Sequence, residues 1–152
     1  MRIWLAQTIA RLMTRELTME VFHSDIRRIA RKNESFRKVV STGKHAQVIV
    51  MSLQPGEDVG EETHVPDQLL LVVKGEGTVV IEGMTSELDK GDLVHVPGGI
   101  RHDIVAAEDS ELKLIVVYSP PLHLSTTEHL TKADAMVEAA KDAAVQMVPT
   151  AV

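Results

Sequence analysis

The chain has 152 residues, 44% of them apolar and 25% charged, which suits one globular domain with a core of its own. With no cysteine, it has neither disulfides nor thiolate ligands, so any metal would be held by nitrogen and oxygen donors alone. A net charge of −6 without a basic tract argues against nucleic acid as a partner, and no apolar run is long enough to cross a membrane as a helix.

Residues 1–18 place Arg2, Arg11 and Arg15 among Ile9, Leu12 and Met13, a spacing that predicts a short amphipathic helix. Thr8 and Arg11 interrupt the apolar core that a signal peptide needs. Two readings stay open for this extension: a helix packed on the domain or on a partner subunit, or a stretch of reading frame upstream of Met19. Val21 to Ile29 reads as a helical or irregular lead-in to a domain spanning residues 19–122. Strands are expected at Phe36–Val40, Ala46–Leu53, Gln68–Val73, Thr78–Glu82, Thr85–Leu88, Val94–Val96, His102–Ala106 and Leu112–Tyr118. Ser41–Lys44, Pro55–Glu57, Gly75–Gly77 and Gly83–Met84 punctuate them as turns. Eight short strands divided by turns give an all-β class, a barrel or sandwich, which a jelly roll closes as two facing sheets. Pro120-Pro121 ends the last strand. Residues 123–152 read as a helical tail with Thr131 as N-cap and a stripe of Met136, Val137, Ala140 and Ala144 packing on the core.

Two glycine-framed motifs stand out from this pattern. In PGEDVGEETHVPDQLLLVVKG, Gly56 precedes Glu62, His64, Gln68 and Gly75; in GDLVHVPGGIRH, Gly91 precedes Pro97, Gly99 and His102. Strand side chains two apart share a face, so Glu62 and His64 can reach one point. Gln68 shares a face with Leu70 and Val72, and a polar head on a buried stripe must find a partner. His102 follows the Pro97-Gly98-Gly99 turn and can face back inward.

These residues make the chain resemble a small single-domain cupin. The cupin pattern is Gly-x5-His-x-His-x3-4-Glu-x6-Gly followed by Gly-x5-Pro-x-Gly-x2-His-x3-Asn. Every spacing is kept here, while Glu62 replaces the first His, Gln68 the Glu and Ala106 the Asn. GEETHVPDQ is close to the GEEVHxDxDQ of some small cupins, so the departures read as a variant ligand set. The resemblance implies a double-stranded β-helix (jelly-roll) barrel with short terminal helices. It also implies one divalent metal ion on Glu62, His64, Gln68 and His102. Two imidazoles and one carboxylate suit Fe, Mn, Zn or Ni, with positions left for water or substrate.

Around that set, Gln47, Met51 and Tyr118 are candidate substrate-lining residues, against the plainer reading of core packing. His95 should face away from the ligands, as should Arg101. His45, His123 and His129 lie in turns or beyond the last strand; His123 reads as structural, at the barrel mouth or in a dimer contact. Two function classes follow. One is a metal-dependent enzyme acting on a small polar metabolite by dioxygenase, isomerase or decarboxylase type chemistry. The alternative is a non-catalytic module that binds or senses a sugar or organic acid. A homodimer is expected, since cupins of this size commonly pair through their sheets. The lack of cysteine matches a reducing, cytoplasmic setting.

Overall fold

The computed structural model describes the backbone of residues 21–146 and the side chains of residues 21–142; the amphipathic helix expected at residues 1–18 and the side chain of Ala144 lie outside them. A short helix, α1 (Ile26–Lys32), leads in, its N-cap Asp25 accepting from Arg28 N at 3.1 Å. Nine strands follow: β1 Arg37–Thr42, β2 Gln47–Leu53, β3 Asp67–Lys74, β4 Gly77–Ile81, β5 Met84–Leu88, β6 Leu93–Val96, β7 His102–Ala106, β8 Leu112–Ser119 and β9 Glu128–His129. A second helix, α2 (Lys132–Gln146), closes the described chain.

The strands form two antiparallel sheets. One runs β6-β3-β8-β2-β1-β9 and the other β5-β4-β7. Period-2 alternation sends Gln68, Leu70 and Val72 of β3 and His102, Ile104 and Ala106 of β7 into the space between the sheets. There they meet Ile49, Met51, Leu53, Leu112, Leu114 and Val116 in one core. This is the jelly roll of two packed sheets expected above. Strands β2 and β8 are buried along nearly their whole length because α1 covers their outer face, packing Ala30 against Val50, Val73 and Ile115.

Two details differ from expectation. The larger sheet continues past residue 122, because β9 pairs with β1 through Arg37↔His129 and Lys38↔Glu128. A two-residue strand has no periodicity to read. Thr131 does cap α2, accepting from Asp134 N while its own N–H donates to the Asp134 carboxylate, but the expected packing stripe is not the docked face. Met136 and Val137 are 63% and 54% exposed. The helix instead seats the small Ala135 on the core and holds ion pairs from Lys132 to Asp58 and from Glu138 to His129. Among the described residues no helix is long and apolar enough to cross a membrane.

The frame glycine Gly75 shows why its motif needs that residue. Its φ is +87°, and any Cβ there would collide with the Glu111 carbonyl oxygen. Gly75→Ala is expected to destabilise the fold by about 1–3 kcal/mol, read as a lower denaturant midpoint at unchanged slope. An unchanged midpoint would show that the close approach is relaxed at no cost.

Candidate metal centre

The two motifs meet through their backbones. Glu62 N–H donates to His102 O at 2.8 Å and His102 N–H donates to Glu62 O at 3.0 Å, an isolated antiparallel bridge. It ends an irregular edge on β7 that includes Gly56 N–H to Ala107 O and Val59 N–H to Ile104 O, both 2.9 Å. On the other side the Pro97–Gly99 turn is fastened to the loop after His64. Gly99 N–H donates to His64 O at 2.9 Å and Gly98 N–H to Asp67 Oδ1 at 2.8 Å. A side chain at Gly98 would run into the Val65 carbonyl oxygen, so the turn can lie this close only with glycine there.

This stapling brings Glu62, His64 and His102 together, with one donor atom of each within 4.8 Å of the others. The imidazole centroids are 4.9 Å apart, with ring planes at 78°. Each ring is aimed by its far nitrogen: His64 Nδ1 lies 2.9 Å from Pro66 O and His102 Nδ1 2.8 Å from Ile100 O. A carbonyl only accepts, so each Nδ1 carries the proton and each Nε2 presents a lone pair. Both Nε2 atoms are buried without a hydrogen-bond partner. Burial holds the His64 pKa below its ordinary value, against the pull of the Pro66 carbonyl, so the ring is a neutral, ligating base near pH 7.

Gln68 sits in a polar row across the larger sheet. Tyr118 of β8 is the register partner of both Gln47 on β2 and Gln68 on β3. Gln68 Nε2 donates to Tyr118 Oη at 3.1 Å, leaving Gln68 Oε1 as a third buried atom without a partner. The Tyr118 ring lies edge-on to His64, with centroids 5.1 Å apart. Burial raises the Tyr118 pKa far above its ordinary value, so the phenol stays protonated.

The other candidates fall elsewhere. Gln47 is fully engaged: Nε2 donates to Thr42 Oγ1 and His123 O, while Oε1 accepts from Leu122 N–H and His123 N–H. It clamps the segment after β8 and has no donor or acceptor left for a substrate. Met51 is core, stacked in register between Arg37 and Leu114. His95 is exposed beside Asp67, and Arg101 is exposed beside Glu61. Ala106, at the family's Asn position, is buried in the core.

Two residues make contacts that their sequence context did not give. His123, held by Gln47, puts its ring 5.6 Å from that of Tyr118 with Nε2 buried and unpartnered. Arg37 turns inward and its Nη2 donates to Glu62 Oε1 at 3.2 Å. Its strand was legible, but a one-residue choice of register decides whether Phe36, Arg37 or Lys38 faces the interior.

Residues 49–118 match the family model of the cupin domain. The uncharacterized protein YrkC of Bacillus subtilis (strain 168) is 36% identical over 132 residues, covering 82% of this chain and 71% of that protein. The chain belongs to the cupin family. The crystal structure of BH2720 from Bacillus halodurans is similar over 79% of this chain and 96% of that one, at 35% identity and a TM-score of 0.76. KdgF from Halomonas sp. is similar over 57% of this chain and 78% of its own, at 28% identity and a TM-score of 0.53.

This cupin therefore has a Glu/His/His cluster able to hold a metal ion. The fit rests on its own atoms. Two aimed imidazole lone pairs are buried with no partner, beside a carboxylate, and such groups are costly unless something binds them. Glu62 in place of a histidine keeps a donor with the same reach.

The same burial makes a pH prediction. His123 is pushed down to about 4 from 6.5, chiefly by desolvation. The unfolded chain thus binds a proton below about pH 6.5 that the folded chain refuses until about pH 4. Stability from this group is complete above that window and is lost as pH falls through it. Urea midpoints measured across the window should fall less steeply for His123→Phe than for the wild type; parallel curves would show that the ring is solvated.

Proposed function

We propose that this cupin is a divalent-metal protein that acts on a small polar metabolite, with Glu62, His64 and His102 as its principal ligands and Gln68 as a weaker oxygen donor. The observation that supports this best is the convergence of two unpartnered buried imidazole nitrogens with the Glu62 carboxylate. A bound ion there supplies Lewis acidity, polarising a carbonyl, carboxylate or hydroxyl oxygen of the ligand. The chain's own groups do the rest. The Pro66 and Ile100 carbonyls hold the imidazoles in the ligating tautomer. Gln68 takes its orientation from Tyr118. Because Tyr118 Oη accepts from Gln68, the phenol keeps its own proton for another acceptor in the cavity. His123 stands behind it as a neutral imidazole.

Elemental analysis of protein purified without chelator or metal-affinity tag should give one divalent ion per chain. His64→Ala and His102→Ala should each abolish stoichiometric metal, and Gln68→Ala should only weaken it. Retention should fall as pH drops through the histidine range, because a protonated imidazole cannot ligate. One ion per chain in both His variants would place the metal elsewhere.

The homodimer belongs to the same proposal. Leu69 and Leu93 are exposed on the outer face of the larger sheet, beyond the area that α1 covers. A dimer mass is expected at micromolar protein, and a monomer mass would contradict it.

A further inference from the structure

The interior holds a cation as well as donors. Arg37 pairs in register with the core residue Met51, which turns its side chain inward, and it is 6% exposed. A buried guanidinium is tolerated only when its N–H groups find acceptors. Here Nη2 reaches Glu62 Oε1 at 3.2 Å, but Nε is buried with no acceptor at all. Arginine and carboxylate normally meet through two parallel hydrogen bonds, so half of the fork stands open.

The charge balance points the same way. Glu62 is the carboxylate paired with Arg37, and it is also one of the three residues of the metal cluster. With a divalent ion bound, the ion and the guanidinium together exceed that single negative charge by about two. The neighbouring charges are spent elsewhere: Glu138 on His129, Lys132 on Asp58, and Glu61 on Arg101. Excess positive charge in a low-dielectric interior calls for an anion.

A cleft of about 300 Å³ borders both groups. It lies between α2 and the Val59–Glu62 segment, where Ala135 and Ala139 leave room, and Arg37 and Glu62 are among the residues that line it. We propose that the ligand of this cupin is a small organic acid, and that Arg37 is the residue that recognises its carboxylate. The acid enters by this cleft and pairs with the Arg37 guanidinium once the side chain turns its buried Nε toward the cleft. Glu62 already shows a carboxylate seated on the same guanidinium. The inference rests on the metal reading above and adds the substrate class.

The test is isothermal titration calorimetry of the zinc-loaded full chain with acetate, malonate and succinate, and with malonamide as the uncharged counterpart. At least one acid should bind and malonamide should not. Arg37→Met should weaken that acid by roughly tenfold or more, as expected for one or two charge-assisted hydrogen bonds, while the chain keeps one metal ion. Arg37→Lys, which keeps the charge but not the fork, should also bind more weakly than the wild type. It decides the matter if the Met variant does not fold. Failure of all three acids to bind, or equal affinity in the Arg37 variants, overturns the role of Arg37. If the ion is still present, the metal reading survives that result. A wild-type chain that takes up no metal overturns both.

Discussion

Two backbone hydrogen bonds between Glu62 and His102 carry most of the site's geometry. They join the ends of two motifs that the chain visits separately, one before β3 and one at the start of β7. Once that bridge forms, a carboxylate and an imidazole share one position, and the alternation from Glu62 to His64 brings the second ring in. The Pro97–Gly99 turn locks against the His64–Asp67 loop from the other side. The ligand cluster is therefore a property of backbone pairing first and of side-chain choice second. This explains how the chain can replace one histidine by Glu62 and still present convergent donors.

The same arrangement sets stability against function. Leaving a buried polar atom without a partner costs about 1–3 kcal/mol. The interior carries several such atoms: both ligating Nε2 atoms, Gln68 Oε1, Arg37 Nε and His123 Nε2. They gather at one end of an apolar core built on Ile49, Leu53, Leu112, Leu114 and Val116. A sheet evolved for stability alone would fill that end with aliphatic side chains. Concentrated unpartnered polarity in an otherwise well-packed barrel marks the place where a ligand completes the structure.

Sequence patterning made the barrel and the three-residue cluster legible, for identifiable reasons. The glycines of both motifs sit where a Cβ or a negative φ does not fit, as at Gly75 and Gly98, and period-2 alternation reports facing within each strand. The roles of Gln47, Arg37 and His123 were out of reach. Gln47 reads as a cavity residue until the His123 backbone closes on it from beyond β8. Arg37 reads as an ordinary strand residue until register with Met51 turns it inward. The face of α2 was misread because its docking depends on Lys132 and Glu138 reaching Asp58 and His129, contacts that helical hydrophobic periodicity does not encode. Each of these facts depends on pairing between distant segments, and local pattern carries no signal for it.

The most direct measurement of the central claim is anomalous diffraction from crystals of this cupin grown after purification without chelator. The expected result is one strong anomalous peak per chain, about 2.0–2.3 Å from His64 Nε2, His102 Nε2 and a Glu62 carboxylate oxygen. A crystal whose protein contains metal but shows the peak away from these atoms would contradict the account. So would one in which both Nε2 atoms are hydrogen-bonded to solvent.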